Sequence, residues 1–133
     1  MGEAPPSMAE LRGSVVLVAF FRCRDEDARW MLNRLAAWDS HYRRVGLRVI
    51  AVHLREAELD NDRDAVTALV GSHPPFPIAM DSDLTCARRY AIRTSPALVI
   101  VGRQGRIRQA FEEVTHSGDV ERALYGLLAE ESR

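Results

Sequence analysis

Seven consecutive apolar residues, Val15 to Phe21 (VVLVAFF), set the first constraint on this chain. The run has strand length, is rich in valine and phenylalanine, and does not alternate with polar residues. That suits a strand covered on both faces, as in a parallel sheet. Asp25, Glu26 and Asp27 follow, three acids where a helix macrodipole favours negative charge. Ala28, Met31, Leu32, Leu35, Trp38 and Tyr42 then recur at three- and four-residue spacing, which predicts a helix over 28–45 with one apolar stripe. Gly46 is placed to end that helix as its C-cap.

The same reading continues along the chain. Residues 1–10, with Gly2 and the Pro5-Pro6 pair, form a loose lead-in, and residues 11–131 form one domain. Residues 47–53 (LRVIAVH) make a second strand, and 60–72 a helix with Ala65, Val66, Leu69 and Val70 inward. His73-Pro74-Pro75 stops that helix. Residues 76–80 make a short third strand, and Asp81-Ser82-Asp83 caps a short helix through Tyr90. Residues 97–101 and 107–111 flank the turn Gly102-Arg103-Gln104-Gly105, a β-hairpin. Residues 118–130 form a last helix, with Val120, Leu124, Leu127 and Leu128 inward. The early β-α units imply parallel strands joined by right-handed crossovers, and the hairpin forces an antiparallel pair at the end. The expected fold class is α/β: a mixed sheet of about five strands with helices on both faces.

Composition excludes several classes of function. A chain of 133 residues can bury about two thirds of its unfolded surface, so it folds without a disulfide or metal. Hydrophobic content of 47% and a net charge of −1 describe an ordinary globular domain with no electrostatic footprint for nucleic acid. All 18 basic residues are arginine, scattered among 19 acids, which reads as compositional bias rather than a patch. No apolar run reaches the length of a membrane span. The opening residues lack the basic and apolar regions of a signal peptide, so a cytoplasmic location is expected for the chain as it stands, and an extracytoplasmic one if it is a mature or excised domain. His41, His53, His73 and His116 lack metal-ligand spacing among themselves or with the cysteines, and Asp81-x-Asp83 lacks the rest of a calcium loop. No P-loop, G-x-S-x-G or dinucleotide fingerprint is present, so no cofactor is expected.

The strings LRGSVVLVAFF, GLRVIAVH, PFPIAMDSD and YAIRTSPALVIVGRQGRIR, in this order, resemble the thioredoxin-like redoxins of the TlpA and AhpC/TSA type over roughly residues 9–130. The resemblance implies a thioredoxin-like fold. It implies that Pro96, after Ser95, is the cis-proline before the penultimate strand and faces the active site. It also implies a Cys-x-x-Cys pair at the first strand-to-helix junction, where the helix N-terminus lowers a thiol pKa and a second sulfur resolves the mixed disulfide. The junction here reads Arg22-Cys23-Arg24-Asp25-Glu26-Asp27-Ala28, with Asp25 and Ala28 in the two cysteine positions.

The candidate site residues follow from that departure. Asp25 is either a helix cap or a base beside a substrate. Cys23 is either a small buried hydrophobe or the remaining nucleophile, flanked by Arg22 and Arg24. Cys86 is either a packed thiol or a resolving partner, provided its Cα comes within about 7 Å of that of Cys23. Trp30 lies off the apolar stripe of its helix, where a partner could pack on it. His53 ends its strand near the site's rim. Two functions fit: a redoxin-fold binding or accessory module that holds a protein or an extended peptide in a groove at Ser95 and Pro96, or a single-cysteine thiol oxidoreductase or peroxidase. The oligomeric state is not encoded in any of these features.

Overall fold

The structure, a computed structural model, describes residues 11–54, 62–71, 74–81, 92, 95–112 and 117–130. Its elements are β1 (Val15–Phe21), α1 (Ala28–Tyr42), a 3-10 turn (Arg43–Val45), β2 (Leu47–Leu54), α2 (Asp62–Val70), β3 (Ile78–Asp81), β4 (Ala97–Val101), β5 (Ile107–Phe111) and α3 (Ser117–Ala129). The sheet runs β3-β2-β1-β4-β5. β1, β2 and β3 are mutually parallel, while β4 is antiparallel to both β1 and β5. The expected short helix through Tyr90 and the lead-in lie outside the described residues.

β1 occupies the centre of the sheet, which is why its sequence does not alternate. Its odd residues, with Leu47, Val49 and Ala51 of β2 and Leu98 and Ile100 of β4, form one buried layer. That layer takes the apolar stripe of α1 (Met31, Leu32, Leu35, Trp38), Val66 of α2, and Val120, Leu124 and Leu127 of α3. The even residues Val16, Val18 and Phe20 join Ile50, Val52, Leu54, Ala97, Val99 and Val101 in a second buried layer on the opposite face. Both faces of β1 are thus removed from water, and all seven of its residues are buried.

Besides one-residue differences at the ends of β2, β3 and the last helix, three boundaries depart from the sequence reading for a local reason. The helix expected over 28–45 is α-helical only to Tyr42; its last turn tightens to 3-10 and closes on Gly46 at φ 107°. The second helix, described from Asp62, ends at Val70 rather than at residue 72, with Gly71 at φ 87° just beyond it. The third strand starts at Ile78 rather than Phe76. Pro77 cannot donate to a ladder, and it contributes its carbonyl instead, accepting from Ala51 N–H at 3.0 Å.

The hairpin turn carries a further tie. Arg103 Nη1 donates to Gly13 O at 2.9 Å, and its Nη2 donates to Val45 O at 3.2 Å and Leu128 O at 3.1 Å. One guanidinium therefore holds the chain ends ahead of β1, after α1 and at the close of α3. It passes so near Gly46 that a Cβ there would meet Nη1 at 2.6 Å. Arg103→Ala is expected to lower the unfolding free energy by roughly 1–3 kcal/mol through loss of these charge-assisted bonds. Urea unfolding should show a lower midpoint at unchanged slope; an unchanged midpoint would mean that the clasp contributes nothing.

Candidate functional site

The sheet topology builds the site. β4 lies antiparallel beside β1, with Ala97 opposite Phe20. The residues just before β4 therefore meet the residues just after β1, and Ser95 comes to Arg22 and Asp25. The chain leaves β1 in a tight turn, in which Asp25 N–H donates to Arg22 O at 3.0 Å. The Asp25 side chain reaches back, and Oδ2 accepts from Arg22 N–H at 2.8 Å. This is the reciprocal logic of a capping box, applied to a strand exit.

Ser95 closes the network. Its hydroxyl donates to Asp25 Oδ1 at 3.0 Å and accepts from Arg22 Nη1 at 2.9 Å. Carboxylate, hydroxyl and guanidinium are all half-buried, where a polar group needs partners to offset lost hydration. The Ser95–Pro96 peptide bond is cis, and Pro96 is half-buried beside the same turn.

Asp25 is not the cap of α1. Asp27 holds the N-cap position without a side-chain bond, and the first turn of α1 contains no acid. The three acids precede the helix instead, with Ala28 N–H donating to Asp25 O at 3.1 Å and Met31 N–H to Asp27 O at 2.8 Å. The sequence reading set Arg22 only beside Cys23 and did not connect it with Ser95. The signal that could have linked them was the β1–β4 pairing itself.

The other candidates separate. Cys23 is half-buried and packs against the α1 layer, continuing the inward side of Val15, Leu17, Ala19 and Phe21. Arg24 is exposed, and Trp30 is 39% exposed on the first turns of α1, off its buried stripe. His53 is not at an exposed rim. It is buried on the α1 face of β2, its ring edge-on to Phe21 with centroids 5.3 Å apart. Phe21 is its register partner in β1, so strand pairing sets that contact. Cys86, His73 and His116 lie outside the described residues. Among the described residues no group of histidine, cysteine and acidic side chains is placed to hold a metal, and no helix is long and apolar enough to cross a membrane.

Chemically, the closed network fixes a hydroxyl, a guanidinium and a carboxylate in place. A carboxylate tolerates the same helix-terminal field as a thiolate, but it cannot form or exchange a disulfide.

The architecture matches solved structures over nearly the whole chain. A thiol-disulfide isomerase from Corynebacterium glutamicum superposes with a TM-score of 0.85 at 21% identity, covering 98% of this chain and 90% of that one. The fold is thioredoxin-like. A secreted Mycobacterium tuberculosis disulfide oxidoreductase gives 0.70 at 19% identity, over 91% of this chain and 84% of its own. At these identities the likeness concerns the fold. Protein DipZ of Mycobacterium bovis and Protein DipZ of Mycobacterium tuberculosis are each 26% identical over 108 residues, 80% of this chain. The match spans 16% of those proteins' length. No protein-family model matches the chain.

If Asp25 and Ser95 are coupled as the geometry has them, a double-mutant cycle with Asp25→Ala and Ser95→Ala will show it. The expected interaction energy is roughly 0.5–3 kcal/mol by chemical denaturation; strictly additive losses would show that the two side chains do not act together.

Proposed function

We propose that this chain is a thioredoxin-fold binding or accessory module, in which the dithiol chemistry associated with the fold has given way to peptide or protein recognition. The groove at Ser95 and Pro96 would hold an extended segment of the partner, with Asp25 fixing the Ser95 hydroxyl and Trp30 offering an exposed apolar face beside it. Any thiol chemistry would be residual and centred on Cys23. The observation that carries this reading is the Asp25 carboxylate in the loop after β1, bonded to Ser95 Oγ and to the Arg22 backbone.

Two further points support it. The chain has two cysteines, Cys23 and Cys86, far apart in sequence, so no adjacent second sulfur stands at the junction to release a mixed disulfide. Cys23 spends part of its surface on core packing, which suits a small apolar residue more than an accessible nucleophile. The competing reading, a single-cysteine thiol oxidoreductase or peroxidase with Cys23 attacking and Cys86 resolving, needs Cys23 to turn out toward a substrate.

Reduction of insulin disulfides by dithiothreitol decides between them. The chain is expected to leave the rate at the uncatalysed background, and Cys23→Ser to behave identically. Turnover comparable with an ordinary dithiol thioredoxin, lost in Cys23→Ser, would overturn the proposal.

A further inference from the structure

A separate cavity lies at the other end of the strands. Asp39, on the inner side of α1, is one of the buried charged residues, only 5% exposed. Its Oδ2 accepts from Arg43 Nη2 at 2.9 Å, one helical turn on, and the same Nη2 reaches Pro75 O at 3.3 Å. The guanidinium of Arg43 is thus pinned by one nitrogen, while its Nη1 and Nε make no bond among the described residues. Arg48, exposed on β2, has no ion pair among the described residues. Both arginines line a cavity of about 670 Å³ together with Asp39, Val49, Pro75 and Phe76. That volume lies within the range of ligand pockets.

The backbone adds a directional feature. β3 joins β2 only from Ala51 onward, where Ala51 N–H donates to Pro77 O. Strand geometry sends the amide and carbonyl of Val49 to that same side, and among the described residues no strand lies beside them there. The outer edge of β2 ahead of Ala51 therefore opens on the cavity, with Val49 and Phe76 supplying apolar wall. Asp39 neutralises one of the two arginines, so the cavity carries one uncompensated positive charge, which a single carboxylate would balance.

We propose that this cavity takes the free carboxyl-terminal end of an extended peptide, its carboxylate on Arg43 and Arg48 and its backbone along the open edge of β2. Strand addition supplies the main-chain bonds and the pinned arginine a prepositioned anion site. The site is separate from the Ser95–Pro96 groove: β1 has seven residues between Ser14, which lines the cavity, and Arg22, a span of roughly 26 Å.

The test is an amide-resolved NMR titration of the full chain with acetyl-Ala-Val-Phe as the free acid, as its carboxyl-terminal amide, and with acetate or inorganic phosphate alone. The free acid should shift the amides of Gly46, Arg48 and Val49. The amide form should bind about tenfold more weakly, as loss of a charge-assisted contact predicts. Arg48→Gln, which removes no other described contact, should weaken the free acid by a similar factor; Arg43→Gln should do so too, and its fold is checked separately because it leaves Asp39 without its partner. Equal binding of acid and amide forms, unchanged affinity in Arg48→Gln, shifts confined to Asp25 and Ser95, or no binding at millimolar peptide would each overturn the proposal. An equal response to acetate or phosphate would reduce the cavity to a bare anion site and overturn the peptide assignment.

Discussion

The antiparallel pairing of β4 with β1 is the constraint on which the rest depends. β1 is central and buried on both faces, so its register is fixed by packing on two sides at once. A slip of one residue would exchange the layer under α1 for the layer on the opposite face. Because that register is fixed, the loop before β4 must return to the loop after β1, and Ser95 must meet whatever side chains leave Phe21. The site is a consequence of sheet order before it is a consequence of any one residue.

What the sheet brings together decides the chemistry. Among the described residues it brings together a guanidinium, a carboxylate and a hydroxyl. Each polar atom named in the network has a partner: the Ser95 hydroxyl both donates and accepts, and each Asp25 oxygen accepts once. Half-buried and satisfied, the ring holds its shape because breaking one bond strands another group away from water. Under the proposed function such an arrangement serves fixed recognition rather than disulfide exchange. A likeness to oxidoreductases in fold is compatible with this, since a fold positions residues without specifying which residues stand there.

Much of the fold was legible in the sequence. The unbroken apolar run of β1, the three- and four-residue spacing of α1 and the Gly102–Gly105 turn before β5 each announced an element, because burial on one or both faces leaves its period in the chain. The departures arose where local chemistry overrides period. Pro77 delayed β3, the last turn of α1 tightened to 3-10 ahead of Gly46, and Gly71 closed α2 early. Asp25 looked like a cap because acids before a helix usually are; the bond back to Arg22 N–H and the long-range contact with Ser95 turn its carboxylate away from the helix. Arg103 left no periodic trace, since a clasp across loops depends on tertiary approach and not on neighbouring residues; the Asp39–Arg43 pair has the i,i+4 spacing of a helical ion pair and was legible in principle. The inward side of Cys23 was legible in principle, as the next odd position after Phe21.

The measurement that bears most directly on the central claim is the pH dependence of alkylation at Cys23 and Cys86, followed by mass spectrometry with and without peroxide and with Cys23→Ser as control. The account predicts slow labelling of Cys23, with no acceleration below the ordinary thiol pKa of about 8.5, and no peroxide-induced link between the two cysteines. Fast labelling of Cys23 well below that pH, together with a Cys23–Cys86 disulfide after peroxide, would contradict it and make the chain a working thiol enzyme.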